Sequence, residues 1–286
     1  MIQVISPGFY TSIQDRGRKA YRHLGVPVSG PMDQLAFDRA SILLPYPTNN
    51  CQLECTMMGP HLILEKTVRF VITGALIEAE LNGMPLRMNK VYEAQGGASL
   101  RLGKVYKGLR SYLRLQADIK VNNSLGSQSF FYPITPHGHL KKGDQIPYSV
   151  KGFKPTKAHV QVKTDSSYLT LNQLDWIPGP DWLLLPRELQ IQLLSESHRV
   201  LAQNRMGYQL SSSVIFNAPQ LLSQVLLPGM VQLTPSGQLL IATADCQVTG
   251  GYLQILQLTQ KSLSVLVQKQ EGSVLTFQNK PLQKAP

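Results

Sequence analysis

Four clusters of polar residues at strand-to-turn junctions hold the side chains of this sequence that can do chemistry. The first runs from Gln14 through Asp15, Arg16, Gly17 and Arg18 to the stretch Ser29-Gly30-Pro31-Met32-Asp33. Arg16 offers a rigid fork of donors to a carboxylate or phosphate, Asp15 or Asp33 can accept a proton or hold that fork, and Gln14 can donate an amide hydrogen bond to a carbonyl. The second is Glu54 in LECTMMGP (53–60), an apolar setting in which a carboxylate is either paired with a cation or poised for proton transfer. The third, NRMGYQL (204–210), brings Tyr208; the fourth, DCQVTGGY (245–252), brings Gln247, Gly250, Gly251 and Tyr252. Paired glycines let backbone N–H groups approach a ligand, and Gln, Thr and Tyr supply neutral hydrogen bonds to an amide or carboxylate.

Each cluster also has a purely architectural reading. An Asp-Arg-Gly turn can satisfy itself while Asp33 caps a helix, Glu54 can pair with a local arginine, and a glycine pair can be a tight barrel corner. His137 and His139 lack a visible third ligand, and the three cysteines, Cys51, Cys55 and Cys246, form no Cys-x-x-Cys pair. No metal site and no disulfide framework is expected, and the cysteines read as reduced thiols. There is no phosphate loop, no G-x-S-x-G elbow, no H-E-x-x-H and no G-x-G-x-x-G, so any nucleotide is held by something other than a P-loop.

The elements that must position these residues are mostly strands. Short apolar runs recur at 68–81, 111–121, 159–165, 238–245 and 264–270, with period-two alternation and β-branched residues, separated by turns such as Asn82-Gly83 and Ser236-Gly237. That spacing predicts barrels or sandwiches rather than a parallel βαβ sheet. Two short helices are predicted. One starts near Pro31, with Ser29 able to cap and Asp33 favoured by the helix dipole, and stops near Leu44 before Pro45 and Pro47; the other covers 186–197. A Pro-, Gly- and Lys-rich break near 150–160 predicts two domains, 1–155 and 156–286.

Bulk composition narrows the class. The net charge of +11, from 28 Lys+Arg against 17 Asp+Glu, is spread along the 286 residues without a zinc-finger, RNA-recognition or helix-turn-helix signature, so no nucleic-acid partner is expected. An anionic small substrate or an acidic protein partner would also account for part of it. No apolar run is long enough to span a bilayer and the first residues lack signal-peptide character, so no membrane association and a cytoplasmic location are expected.

Taken in order, TSIQDRGRKAYRHLGVPVSGPMD (11–33), LECTMMGP, VITGA (71–75), LGSQSFF (125–131), LKKGD (140–144), PGPD (178–181), NRMGYQL and DCQVTGGY resemble the allophanate hydrolase subunit 2 family, also described as biotin-dependent carboxyltransferase-like. The resemblance covers nearly the whole chain. It implies a mostly-β protein of tandem cyclophilin-like β-barrel domains that works with two partners. One is an allophanate hydrolase subunit 1-like protein, the B subunit of 5-oxoprolinase, and the other is the A subunit of that enzyme. The family pattern usually carries Arg where this chain has Cys246, and Arg205 or Arg16 are the candidates to replace that cation.

The activity this implies is that of one subunit of an ATP-dependent 5-oxoprolinase opening 5-oxo-L-proline to L-glutamate, with ATP and magnesium used by the complex. In that reading Arg16, Asp33 and Glu54 are the catalytic candidates, and Gln14, Tyr208, Gln247, Gly250, Gly251 and Tyr252 bind substrate. Two alternatives stand beside it: the carboxyltransferase component of a biotin-dependent urea or amide carboxylase, and a non-enzymatic protein that antagonises a kinase inhibitor. Residues 87–90, Arg-Met-Asn-Lys, do not fit a biotin-acceptor sequence, so a carboxyltransferase would need its carrier from another protein.

Overall fold

The alternating run at 68–81 becomes the strand Val68–Leu81 in the computed structural model, which describes residues 1–47, 51–150, 165–217 and 222–278. Asn82 and Gly83 both take positive φ (52° and 79°), as a two-residue hairpin turn requires, and lead into the short strand Met84–Pro85. The chain forms two compact units, Met1–Arg18 with Ser29–Leu169, and Lys19–Val28 with Thr170–Pro286. The expected strand at 159–165 and the break near 150–160 lie almost wholly outside the described residues.

The first unit is built on a nine-stranded antiparallel sheet. Its main path runs Gln145–Ile146, Ile2–Ser6, His61–Leu64, Ala98–Leu115, Gln52–Thr56 and Tyr10–Gln14. Val68–Leu81 also pairs with Ala98–Leu115, and together they form a half-barrel around a core that includes Ile2, Leu53, Leu62, Phe70, Leu100 and Leu113, all without exposure. Helix α1 (Gln34–Leu43) buries Ala36, Phe37 and Ala40 against this sheet, with Phe37 edge-on to Tyr112 at 6.1 Å. Its cap is Asp33, whose Oδ1 accepts from the Ala36 N–H at 3.1 Å. Ser29 is not the cap. It sits at φ 60° with its hydroxyl facing Arg18, four residues too early to reach the first turn.

The second unit contains a closed barrel of seven strands: Gln173–Pro178, Leu253–Leu258, Met230–Leu233, Leu239–Ala242, Gly207–Leu210, His198–Gln203 and Val274–Gln278. All pairs are antiparallel except the one that closes the ring, where Gln173–Pro178 runs parallel to Val274–Gln278. The second expected helix is present as α2 (Arg187–Ser195). A third, α3 (Gln260–Leu266), covers the first three residues of the strand expected at 264–270, and a turn follows in place of the remainder. Thr259 caps α3 by accepting from Ser262 N–H at 3.2 Å, and every residue from Ser262 to Leu266 is buried, so an all-round buried helix has the sequence appearance of a buried strand. The fold is the mostly-β, barrel-based class the sequence implies, with three helices among the described residues rather than two.

Gly74, inside the block VITGA, shows why that block has its composition. Its φ is +88°, and a Cβ there would stand 2.6 Å from the Arg110 carbonyl oxygen. The sheet shifts register just after it, between Gly74 and Leu76, and the Thr73 hydroxyl beside it donates to the Ala36 carbonyl of α1 at 2.8 Å. Gly74→Ala is expected to lower stability by about 1–3 kcal/mol from backbone strain alone, with the carbonyl clash in addition. Gly97→Ala, at φ +84° but with nothing within 4 Å of the new methyl, is expected to cost less. Urea unfolding midpoints of the two variants check the difference.

Candidate functional site

In the first unit the polar blocks bind one another. Asp15 Oδ1 accepts from Gly17 N–H (2.8 Å), Ser127 Oγ (2.6 Å) and Ser129 Oγ (2.7 Å), while Oδ2 accepts from Gln128 N–H at 2.7 Å. Arg18, 1% exposed, donates to the carbonyls of Ser124 and Ser129 and to Ser29 Oγ. DRGR and LGSQSFF are therefore one knot. Gln14 is fully buried, its amide nitrogen donating to Ser12 Oγ at 3.0 Å and the Phe130 carbonyl at 3.4 Å.

The carboxylates expected to handle protons lie in the same unit, sealed from solvent. Glu54 and Asp33 are both at zero exposure. Glu54 Oε2 accepts from the Met32 N–H at 2.8 Å and from the Tyr112 hydroxyl at 2.7 Å, and that same hydroxyl oxygen accepts from the Asp33 N–H at 2.7 Å. Tyr168 donates its hydroxyl to Asp33 Oδ2 at 2.7 Å. Burial, with Glu54 and Asp33 alongside, holds the Tyr112 phenol well above its ordinary range, so it keeps its proton and works as a fixed donor. Arg16, by contrast, is half exposed. It pairs with Asp38 at 2.7 Å and lies over the Phe37 ring, an exposed pair worth at most about 1 kcal/mol.

The second unit carries the cavity. About 510 Å³ in volume, it is lined by Tyr208, Gln247, Gly250, Gly251 and Tyr252, so all five of the substrate-binding candidates from NRMGYQL and DCQVTGGY meet there. Barrel register explains the wall. Tyr208, Ile241 and Val231 stand in one cross-strand row and Gln209, Leu240 and Gln232 in the next, on the opposite face. The first row is buried at 1% exposure or less, and the Tyr208 hydroxyl donates to the Lys269 carbonyl at 3.2 Å. The second row faces the cavity, under a ribbon in which Gln224–Val225 pairs with Thr249–Gly250. Asp181 of PGPD ties the ribbon down, taking the Gln224 side-chain amide at 3.2 Å on both oxygens and the Gln254 N–H at 2.9 Å.

Among the described residues that line it, none is Asp, Glu, Lys, Arg or His. The polar lining consists of amides, Tyr252 and backbone, which suits an uncharged, hydrogen-bonding ligand. Arg205 does not supply a free cation: its guanidinium forms a two-pronged pair with Asp245, Nε to Oδ2 at 2.7 Å and Nη2 to Oδ1 at 3.2 Å. Arg16 belongs to the other unit. The arginine that stands beside Cys246 is Arg22, which donates to the carbonyls of Leu226 and Val248. Burial pushes the Cys246 thiol up, against the pull of Arg22, so the sulfur in this wall is a thiol and not a nucleophilic thiolate.

Sequence reasoning misses the roles of Arg18, Arg22 and Gln232. The two arginines look like scattered surface charge, and only the hydrogen-bond needs of nearby carbonyls reveal them. Gln232 sits in an apolar-looking run, and strand alternation is its one signal.

The family profile described as carboxyltransferase domain, subdomain A and B, matches residues 24–279. The chain is 30% identical over 292 residues to the C subunit of 5-oxoprolinase from Escherichia coli (strain K12), covering all of this chain and 93% of that protein. It is 36% identical over 149 residues to the urea amidolyase of Lachancea kluyveri, half of this chain and 8% of that one. Among solved structures, TTHA0988 superposes with a TM-score of 0.84 at 27% identity, over 97% of this chain and 55% of that one, so this chain spans about half of it.

The Asp15 knot sets an acid limit on stability. Burial alone would raise the Asp15 pKa, but the hydrogen bonds from Ser127, Gln128, Ser129 and Gly17 outweigh it and the pKa is lowered. A carboxyl depressed in the folded state contributes stability that is complete above its unfolded pKa of about 3.9 and lost as pH falls through the folded value. Asp15→Asn is expected to be less stable at neutral pH and to show a flatter loss below about pH 4. Thermal unfolding between pH 7 and pH 2 reads both effects.

Proposed function

The chain belongs to the family of the carboxyltransferase domain, subdomains A and B, and on that premise we propose that it is one subunit of an ATP-dependent 5-oxoprolinase complex that hydrolyses 5-oxo-L-proline to L-glutamate. The observation that carries this reading is the charge-free cavity of the second unit, whose amides and glycine backbone match the hydrogen-bonding edge of a lactam. Full-length similarity to the C subunit of a 5-oxoprolinase supports it.

A lactam is an unactivated amide. In this reading ATP phosphorylates its carbonyl oxygen, and positioned donors and acid or base groups complete the opening. Gln247 and Tyr252 orient the substrate from the cavity mouth, the Gly250–Gly251 backbone approaches it, and Tyr208 holds the wall. Asp33 and Glu54, sealed around Tyr112, hold the turn that leads into α1, while Arg16 is the group of the first unit exposed enough to meet an anion. A magnesium-bound triphosphate does not fit the cavity, because its lining offers neither cations for phosphate nor carboxylates for the metal. In this reading the nucleotide is held outside this cavity. The partners of this reading are the B subunit of the enzyme, an allophanate hydrolase subunit 1-like protein, together with the A subunit. No helix among the described residues is long and apolar enough to cross a membrane, and the reading places the complex in the cytoplasm.

Similarity to urea amidolyase over half the chain favours a second reading, carboxyl transfer to an amide from a biotin carried by another protein. One experiment separates the two. The chain co-purified with its two partners is expected to release glutamate from 5-oxoproline with ATP, to lose that activity when this chain is omitted, and to be insensitive to avidin. Avidin-sensitive consumption of bicarbonate without glutamate release would select carboxyl transfer.

A further inference from the structure

One amide of the cavity wall has a donor that no group among the described residues accepts. Gln232, 5% exposed, lines the cavity, and its Nε2, itself closed from solvent, has no hydrogen-bond partner among the described residues. Among the described residues it is the unpartnered buried polar group that belongs to this cavity. Buried amide hydrogens are nearly always paired, and leaving one unpaired is a standing cost to the fold. Such a group is retained where something else supplies the acceptor.

Two further features hold Gln232 in this state. The pairing of Met230–Leu233 with Leu253–Leu258 shifts register between Val231 and Gln232, an irregularity of the kind that re-aims a side chain beside a binding site. Gly250 then makes room for the side chain, because a Cβ at residue 250 would stand 2.5 Å from Gln232 Nε2. At Gly251 an added Cβ would meet nothing within 4 Å. The two glycines therefore have different reasons: Gly250 seats a neighbouring carboxamide, and Gly251 borders open space.

We infer that the Gln232 carboxamide, whose Nε2 is packed beneath Gly250, is the specificity-determining donor of this cavity, turning about its terminal bond to give its N–H to the carbonyl oxygen of an uncharged amide or lactam. The inference deepens the reading of the cavity as the substrate site and rests on it. An amide donor in a cavity whose described lining carries no cation selects a neutral acceptor over a carboxylate of the same size, since a desolvated anion there would meet no charged side chain in the wall. For 5-oxoproline this seats the lactam in the cavity and leaves the carboxylate at the mouth, where Tyr252 is 45% exposed.

Calorimetric titration of the full chain with 2-pyrrolidinone, the bare lactam, and with butyrate, a carboxylate of similar size, tests this. The lactam is expected to bind at least tenfold tighter than butyrate. Gln232→Leu is expected to weaken lactam binding at least tenfold while leaving the melting temperature unchanged or higher, since the unpaired amide is gone. Gln232→Met serves as a second variant of similar length without a donor. A merely structural glutamine would lower the melting temperature and leave the affinity of the folded fraction unchanged. Equal lactam binding by wild type and both variants, no lactam binding by the wild type, or equal binding of butyrate overturns the assignment. Glutamate release by the three-component complex is measured separately. Donor-dependent lactam binding without turnover rejects the 5-oxoprolinase reading alone, and full turnover with donor-independent binding rejects the Gln232 role alone.

Discussion

A buried guanidinium–carboxylate pair frames the second unit. Arg205 and Asp245 sit just beyond the ends of two neighbouring strands, and the ladder continues past the strands to reach them, with Thr243 N–H on the Met206 carbonyl and Asp245 N–H on the Arg205 carbonyl. Neither ion is solvated, so removing one partner would strand the other in a low-dielectric surrounding, a loss of about 3–5 kcal/mol. Both arms of the cavity wall start from this pair. NRMGYQL runs from it into the barrel, and DCQVTGGY runs from it into the ribbon that covers Gln232. Two charges that do not line the cavity thus anchor the two segments that carry Tyr208, Gln247 and Tyr252.

The same economy operates in the first unit with carboxylates as the centre. Asp15 gathers four donors from two distant blocks, and Glu54 with Asp33 gathers Tyr112, Tyr168 and two backbone N–H groups around the start of α1. In these interior polar networks each of those donors finds its acceptor, and such networks fix one geometry because a shifted loop would leave a charge unsatisfied. Asp15, Arg18, Asp33 and Glu54 of the recognisable blocks are thus engaged in interior networks, Arg16 remains half exposed, and the described lining of the second unit's cavity is neutral.

That division explains what can be read from the sequence. Period-two alternation identifies Val68–Leu81, and Asn82-Gly83 marks its hairpin, because strand faces and positive φ leave direct marks in residue type. α1 and α2 are legible from proline positions and apolar spacing. α3 is not, since the run Ser262–Leu266 is buried throughout and shows no helical period, and its Thr259 cap is the remaining clue. At the cavity, residue type points to Gln247, Gly250, Gly251 and Tyr252 because unusual residues cluster there. It does not point to Gln232, whose significance comes from a register shift and from a missing methyl group eighteen positions away in the chain.

The ring of the second unit is closed by its earliest and latest strands, Gln173–Pro178 and Val274–Gln278, lying side by side. On the ribosome, six of the seven staves exist for some time as an open, curling sheet with two unpaired edges, because the strand that seals it is the last to emerge. Contacts this distant in sequence form late and slowly. Throughout that interval the two open edges of the nascent barrel are competent for edge-to-edge association, a hazard that ends when the final strand seals the ring.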